Sequence, residues 1–593
     1  MYTLLSFVFF TALVALISYL KTKKENLTEI TGYFLAGRSL PWFVIAGSLF
    51  LTNISAEQLT GLNANAFRNG ANVMAWEATS ALTLIALAFI FLPRYLKSGI
   101  STIPHFLEQR FGRRMRIVSS FIFIYAIVIG FLPFVLYAGA ITLGQLFNVN
   151  ELFGLTQQQS VWLMVISLGA IGGIYAIFGG LKAVAVSDTI NGVAVLICGL
   201  LVPLLGLHYL GDGSVFDGLH ILVTEAPERL NAPGLSENAN IPWHGVISGV
   251  IIINLFYWCT NQAIVQRTLA AKNLAESQKG VLAAGLLKIV GVLMLVLPGI
   301  IAWHLHQRGV LNIPFKVVDG HVTDVLNADI SYPTLVRYVL PSWLTGFFGA
   351  AMFGAILSSF NSGINSLSTL ISLDIYKPLI NPKASDIQTV KVGKVFGIAT
   401  TIICIVAAPY ISQADSLYTL MRTIMAVINI PIFAVVLLGI VSKRAPALAG
   451  YIGLVFGMIF FYITHFVLKD DLGIVKLHWL NLVGLNLVLM MMVMLTIRFF
   501  KPLEVPFKQV ETKEVEVTPW KYGKHAAWAL ALLFCLTYSL LSPIGITSVS
   551  GSVSTAVITS VVVIVVLYFL SKGIRALMVA ANSKESKKGY DYV

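Results

Sequence analysis

The sequence predicts an all-α protein that crosses a membrane many times, and two observations support this prediction. Of its 593 residues, 57% are hydrophobic and only 11% are charged, whereas a soluble domain carries roughly 25% charged residues. Stretches of about 20 apolar residues, the length that crosses a bilayer as a helix, recur about fifteen times. This composition excludes a soluble multidomain enzyme and a disordered chain. The predicted spans lie near 1–20, 41–66, 71–93, 117–147, 160–180, 183–210, 244–266, 279–305, 338–372, 393–411, 416–441, 447–468, 478–499, 525–546 and 552–571.

The positive charge of the chain is explained by membrane topology. The net charge is +13, but assigning alternate loops to opposite sides places most Lys and Arg residues on one side. Cytoplasmic loops are enriched in Lys and Arg, so we expect the N-terminus outside and the C-terminus in the cytoplasm. The basic segments 110–116 and 267–279 are counted as cytoplasmic loops. We therefore expect the lipid bilayer, and no nucleic acid, as the partner of this charge.

Two of the predicted spans are interrupted by polar residues. In 41–66 the apolar pattern gives way to a polar run that includes Asn53, Ser55 and Gln58, and 244–266 has a second run from Asn254 to Gln262. We expect each helix to break at membrane depth, where the freed carbonyls of transporters commonly hold sodium. Interrupted helices that run in opposite directions at corresponding positions are typical of inverted-repeat transporters. A kinked helix packed by small residues is the alternative.

Ionisable residues lie inside four further spans, where charge is costly and suggests function. Glu77 shares a helical face with Ser80, and Asp188, Lys288 and Arg422 lie in other spans. Glu77 could instead be satisfied by a neighbouring helix, and Asp188 or Arg422 could be interfacial. Lys288 could extend its amine to the interface, although pairing with Glu77 or with a substrate is the favoured interpretation.

The predicted ninth span is rich in hydroxyl groups. Ala355, Ser358 and Ser359 have the spacing of one helical face, as do Ser358, Asn361 and Ser362. Uncharged oxygens of this kind suit a dehydrated alkali cation, whereas Ca²⁺ prefers carboxylates. Close helix packing through small residues explains the same pattern equally well. The chain has no transition-metal spacing of Cys and His and no phosphate-binding loop, so we expect no ATP hydrolysis.

Four segments resemble the solute:sodium symporter family, in its sodium/sugar cotransporter branch. They are Gly-Tyr-Phe-Leu-Ala-Gly-Arg-Ser at 32–39, Asn-Ile-Ser-Ala-Glu-Gln at 53–58, Gln-Arg-Thr-Leu-Ala-Ala-Lys at 266–272 and Ala-Ile-Leu-Ser-Ser at 355–359. The resemblance, which runs from about residue 30 to 445, implies a LeuT-like fold with two inverted five-helix repeats. The implied divisions are a first helix and loop at 1–38, repeats at 39–211 and 244–445, an extracellular loop at 212–243, and peripheral helices at 446–593 with a cytoplasmic linker at 500–524.

The resemblance also implies where ligands bind. Sodium would be held by the carbonyls of Leu51, Ile54 and Ala355 and the hydroxyls of Ser358 and Ser359. A second sodium site would use Asp188, Ser358 and Ser362. Tyr257 matches an aromatic gate beneath the substrate, and Trp76 an aromatic residue that covers it from outside. The substrate contacts would be Asn53, Gln58, Glu77, Ser80, Asn254 and Lys288, with Arg422 where the sugar transporters have a glutamine.

These implications lead to a specific expectation about function. We expect a monomeric, non-enzymatic symporter in a bacterial inner membrane that uses sodium to import a sugar or sugar derivative by alternating access. Arg422 suggests an acidic sugar such as a uronate, a sulfosugar or sialic acid, but it could equally donate to a neutral hexose or pair with Glu77. Two alternatives remain. The protein could be a sodium symporter for another small organic solute, or a sensor that does not transport.

Overall fold

The computed structural model describes residues 2–235, 239–318, 321–411, 417–548 and 551–588. Side chains are described throughout these ranges except at 56–57, 316–318, 321–322, 417–424 and 573–588. The described chain is almost entirely helical, as the composition predicts. A two-stranded antiparallel hairpin, β1 (Phe315–Val318) and β2 (His321–Leu326), was not predicted from the sequence.

The helices of the first part of the chain follow the predicted spans. Short π-helical segments, Leu87–Phe91 and Ala126–Phe131, continue α5 into α6 and α8 into α9. The helices are α1 (Tyr2–Thr22), α2 (Ile30–Leu35), α3 (Trp42–Asn53), α4 (Ala56–Asn69), α5 (Ala75–Ala86), α6 (Leu92–Lys97), α7 (Ile103–Phe111), α8 (Arg113–Tyr125), α9 (Leu132–Leu146), α10 (Val149–Phe153), α11 (Gln157–Leu210) and α12 (Val215–Thr224).

The helices of the second part of the chain also follow the predicted spans. A π-helical segment, Val246–Val250, joins α13 to α14, and another, Leu370–Ile380, extends α19. The helices are α13 (Trp243–Gly245), α14 (Ile251–Cys259), α15 (Gln262–Leu269), α16 (Leu274–Leu295), α17 (Leu297–Gln307), α18 (Ser331–Val339), α19 (Ser342–Thr369), α20 (Asp386–Ala407), α21 (Leu417–Val441), α22 (Ala447–Tyr462), α23 (Trp479–Phe500), α24 (Gly523–Leu540) and α25 (Val553–Lys588).

Each predicted span coincides with a helix or with consecutive helices. By length and composition, ten helices of the described chain could cross a membrane, or eleven if a bent pair counts as one span. The number is below fifteen partly because α11 contains two predicted spans. Its 54 residues would extend about 81 Å at 1.5 Å per residue, far beyond a hydrocarbon core of about 30 Å. The kink at Gly180, with φ +64° and ψ −179°, separates the two spans.

Burial distinguishes central helices from peripheral ones. The apolar windows in Ser342–Ile380 and Gln58–Lys97 are 78% and 72% buried, against 17% for Tyr2–Thr22 and 11% for Val553–Lys572. The hydroxyl-rich α19 is therefore the centre of the bundle, where polar groups face protein. The terminal helices α1 and α25 expose apolar side chains, as lipid-facing helices do.

Both predicted helix breaks are confirmed. Between α3 and α4, Ile54 and Ser55 are extended, with φ/ψ of −86°/91° and −106°/−179°. Between α14 and α15 the chain leaves the helix at Thr260 and Asn261, and the two parts are bent by 47°. The Asn261 side chain accepts from the Ala263 N–H at 2.9 Å and so starts the second part. Each interrupted helix thus provides free backbone groups within the bundle.

Candidate solute and sodium site

The break after α3 lies against the hydroxyls of α19. The Ser55 N–H donates to the Asn53 carbonyl at 3.2 Å instead of to Leu51, its helical partner. The Ser359 hydroxyl donates to the Thr52 carbonyl at 3.0 Å and is fully buried. A hydroxyl of α19 therefore contacts a backbone carbonyl at this break directly.

The other residues of the predicted sodium set lie in α3, in the break after it and in α19. Leu51, Ile54 and Ala355 are fully buried, and Ser358 is 1% exposed. Among the described residues, no cluster of three or more His, Cys, Asp or Glu side chains could hold a metal.

Asp188 extends this polar region into α11. Its Oδ2 accepts from the Ser48 hydroxyl at 2.6 Å and lies 3.5 Å from Thr52 Oγ1. Thr52 Oγ1 is in turn 3.3 Å from Ser358 Oγ and 3.4 Å from Ser362 Oγ. The three residues predicted for a second sodium site therefore gather around the Thr52 hydroxyl. Asp188 is 1% exposed, so its carboxylate is satisfied by protein groups.

A buried guanidinium that sequence reasoning missed lies beside Asp188. Arg267, in α15, contacts Asp188 Oδ2 through Nη2 at 3.3 Å and donates from Nε to Ser48 Oγ at 2.7 Å. It also donates to Ser362 Oγ and to the Ala263 carbonyl. Because a charge buried this completely requires a partner, the ion pair fastens α15 to α11.

The prediction that Arg267 belongs to a cytoplasmic loop is wrong, because its side chain is 1% exposed. The predicted span 244–266 ended one residue before Arg267, whereas α15, the second half of the broken span, continues to Leu269. The signal that could have identified Arg267 is its position directly after that span. Arg110, also assigned to a solvated loop, is buried as well, and donates to the carbonyls of Gly439 and Ser442 at 3.3 and 2.5 Å.

A second buried ion pair lies on the other side of the break. Lys288 Nζ, from α16, pairs with Glu77 Oε2 of α5 and donates to Asn53 Oδ1 at the end of α3. Lys288 is fully buried and Glu77 is 1% exposed. The Trp258 ring centroid lies 5.9 Å from the ammonium, within the range of a cation–π contact. The interpretation that Lys288 pairs with Glu77 is confirmed.

Two other predicted substrate contacts, Asn254 and Ser80, bond to the start of α5. The Asn254 amide donates to the Trp76 carbonyl at 3.0 Å and to Thr79 Oγ1 at 2.8 Å. The Ser80 hydroxyl donates to the same Trp76 carbonyl at 3.1 Å. The structure thus joins α14 to the start of α5, next to the Glu77–Lys288 pair.

A cavity lies between the two broken helices. Asn53, Gln58 and Tyr257 line it, together with Asn261 and Asn429, which the sequence did not identify. The side chain of Arg422 lies outside the described residues, although its helix α21 contributes to the wall. The complete lining is Thr52, Asn53, Gln58, Phe123, Ala126, Ile127, Phe131, Ile253, Phe256, Tyr257, Asn261, Ala263, Ile264, Gly363, Met425, Ala426 and Asn429.

A multi-pass helical bundle with two broken helices that flank a cavity is the arrangement of secondary transporters of small solutes. The chain belongs to the sodium:solute symporter family, whose model matches residues 33–457. It is 44% identical to the uncharacterized symporter YidK of Escherichia coli (strain K12), over 91% of each chain. It is 32% identical to the sodium/glucose cotransporter of Vibrio parahaemolyticus, over 73% of this chain and 79% of the relative. It is 31% identical to the sodium/myo-inositol cotransporter 2 of Homo sapiens, over 76% of this chain and 67% of the relative.

Solved structures support the LeuT-like fold. A sodium-coupled sialic acid symporter, captured substrate-bound and outward-open, aligns with a TM-score of 0.69 at 20% identity, over 86% of this chain and 99% of that one. Mhp1, a nucleobase-cation-symport-1 transporter in a closed conformation, aligns with a TM-score of 0.51 at 14% identity, over 81% of this chain and 98% of that one. The chain is therefore a multi-pass membrane protein that couples the transport of a small solute to sodium.

Proposed function

We propose that this protein imports a sugar or sugar derivative together with sodium. The observation that supports it best is the contact of Ser359 with the Thr52 carbonyl at the break. One residue further on, Asn53 lines the cavity and accepts from Lys288. A cation bound at the break and a solute bound in the cavity would therefore act on adjacent residues of the same chain segment.

Sodium at this break would be held by the carbonyls of Leu51, Ile54 and Ala355 and by Ser358 and Ser359. Its charge would fix the extended residues between α3 and α4 and join them to α19. An ordered Asn53 would then bind solute more tightly, and by linkage solute would strengthen sodium binding to the same degree. The membrane potential adds about 2.3 kcal/mol per charge for each 100 mV.

A polyhydroxylated solute fits the chemistry of the cavity. The side-chain amides of Asn53, Gln58, Asn261 and Asn429 both donate and accept hydrogen bonds, as sugar hydroxyls require. The aromatic residues of the lining, Tyr257 among them, offer apolar surface to the faces of a sugar ring. Lys288, which pairs with Glu77, donates a hydrogen bond to Asn53. A solute hydroxyl that binds Asn53 would therefore replace this existing hydrogen bond. The similarity to sodium/glucose and sodium/myo-inositol cotransporters agrees with this solute class.

An acidic sugar is the second candidate, and Arg422 motivates it. Three residues of the same helix, Met425, Ala426 and Asn429, line the cavity, so a cationic side chain one turn away would favour a carboxylate or sulfonate ligand.

We propose inverted repeats at 39–211 and 244–445, a monomer in a bacterial inner membrane with its N-terminus outside, and no enzymatic activity.

The test is uptake into proteoliposomes with sodium or potassium outside. The panel contains hexoses, myo-inositol, the matching uronate and sulfosugar, sialic acid and proline. We expect sodium-stimulated uptake of at least one polyhydroxylated compound, and its loss in Asn53→Ala. Uptake of proline alone would overturn the sugar assignment. Hexose uptake equal to or stronger than uronate uptake would overturn the acidic-ligand candidate.

A further inference from the structure

One aromatic contact joins the substrate region to a helix outside the predicted repeats. The Trp76 ring stacks on Trp479, with centroids 6.1 Å apart and planes inclined by 22°. Trp479 is the first residue of α23, which follows the second repeat by one helix. Trp76 is only 7% exposed, and the Trp479 ring is one of the groups packed against it.

Two hydrogen bonds fix the backbone of Trp76. Its carbonyl accepts from both Asn254 and Ser80, at 3.0 and 3.1 Å. The next residue in α5 is Glu77, which pairs with Lys288. The position of the Trp76 ring is therefore tied directly to the buried polar cluster beside the cavity.

The start of α23 contacts α5 and is also bound to the seventh predicted span, 244–266, which contains α13 and α14. Asn481 Oδ1 accepts from Ser248 Oγ at 2.7 Å and lies 3.0 Å from His244 Nδ1. A Cβ on Gly249 would lie 2.6 Å from Leu480 Cβ, so only glycine permits this approach. Trp479 is thus attached to one of the two broken helices and rests on a residue of another element.

We propose that Trp479 is a gating residue, which forms with Trp76 a two-ring lid over the solute site. When the seventh span moves relative to α5, Trp479 moves with the span and the stacked pair separates. Access to the cavity from the side of the Trp479 ring therefore depends on a helix beyond the two repeats. The role in solute retention rests on the proposed function, but the lid itself does not.

The lid is tested by cysteine labelling that needs no solute. Ile253 lines the cavity, is 5% exposed and precedes Asn254. Ile253→Cys is labelled in whole cells with a membrane-impermeant thiol reagent, alone and with Trp479→Ala, Trp479→Leu or Trp479→Phe. The chain with only its native cysteines gives the background. Trp243→Ala, a change at an exposed tryptophan in the same region, is the matched control.

Removing the stack should raise the labelling rate about three- to tenfold, which is the population shift expected for one aromatic pair. Trp479→Phe should restore a rate within about twofold of the parent, since a stacked ring remains. Trp479→Leu keeps apolar bulk without stacking, and decides the test if Trp479→Ala does not fold. Unchanged labelling in the non-aromatic variants, or an equal rise in Trp243→Ala, would overturn the proposal.

Uptake measurements separate this proposal from the proposed function. Trp479→Ala should raise the KM for the transported solute about three- to tenfold, with the sodium dependence unchanged. If no compound of the panel is transported but labelling rises, the sugar assignment fails and the lid stands. If a sugar is transported while KM and labelling do not change, the lid fails and the sugar assignment stands.

Discussion

The positions of single hydroxyl groups separate the proposed cation site at the α3 break from ordinary helix packing. Ser359 directs its hydroxyl to the Thr52 carbonyl beside the break, whereas Ser368, in the same helix, directs its hydroxyl to the Gly393 carbonyl at 3.0 Å. Both side chains are buried. Only Ser359 lies where backbone carbonyls have lost their helical partners.

Ser359→Ala should therefore abolish sodium-stimulated uptake while the protein still folds. Loss of one buried hydrogen bond costs about 0.5–1.5 kcal/mol of unfolding free energy, which a membrane bundle of this size should tolerate. Sodium-dependent uptake and thermal unfolding in detergent are measured in parallel. Ser368→Ala is the matched control and should retain sodium dependence. Sodium stimulation that survives in Ser359→Ala would contradict the site.

The Asp188–Arg267 pair is also a residue-scale feature with a measurable consequence. Asp188→Asn preserves shape but leaves the Arg267 guanidinium buried without its counter-charge. Breaking a buried pair in this way destabilises a protein by about 3–5 kcal/mol, so we expect a clear fall in Tm. Glu511→Gln is the control, because Glu511 is 63% exposed and pairs with Lys97 at the surface, where a pair contributes about 0–1 kcal/mol. Equal Tm values for the two variants would show that Arg267 is not dependent on Asp188.

At the scale of elements, the kink in α11 depends on one glycine. Gly180 has φ +64° and ψ −179°, a region that only glycine adopts readily. An added Cβ would also lie 3.3 Å from the Tyr33 carbonyl oxygen. The kink positions Asp188 two turns later, so its geometry affects the polar network as well as the two spans.

Gly180→Ala should lower the unfolding free energy by about 1–3 kcal/mol because the alanine would be strained at this φ and ψ. Thermal unfolding in detergent measures the change. Gly144→Ala in α9 is the control, since its nearest neighbouring atom would be 3.8 Å away and alanine favours a helix. A Tm unchanged by Gly180→Ala would mean that the kink relaxes without cost.

On the scale of the whole molecule, the segment between α23 and α24 fastens elements from distant parts of the chain. The Phe507 N–H donates to the Lys443 carbonyl after α21, and the Thr512 N–H to the Lys97 carbonyl at the end of α6, both at 2.8 Å. The Leu274 N–H, at the start of α16, donates to the Glu516 carbonyl at 2.9 Å. A segment expected from sequence to be a linker is therefore packed against both predicted repeats.

Sodium should stabilise the whole bundle, because it would bind between α3 and α19 only when they are folded together. A ligand that binds only the folded protein adds about 2.7 kcal/mol at one hundred times its Kd. We expect Tm to rise with sodium concentration and not with potassium, at constant ionic strength. Ser359→Ala should remove this rise, and Ser368→Ala should not. An equal rise with both cations would indicate a general salt effect.

The sequence by itself determined the class of architecture and the position of the helix breaks. Apolar length and the scarcity of charge specify helices in a bilayer, and runs of polar residues such as those around Asn53 and Asn261 favour interruptions of the helix. Motifs such as Ala355–Ser359 identified the family. These features are local, because each depends on the cost of placing a given residue in hydrocarbon.

The sequence favoured the pairing of Lys288 with Glu77, but only the tertiary structure decided the other contacts between buried charges. Arg267 has the sequence context of a loop, and its burial beside Asp188 depends on the bend of α15 and the kink of α11. The stacking of Trp479 on Trp76 joins residues of separate elements, and no local pattern encodes it. Ion pairs and ring contacts between distant segments depend on distances set by helix packing, which residue spacing along the chain does not specify.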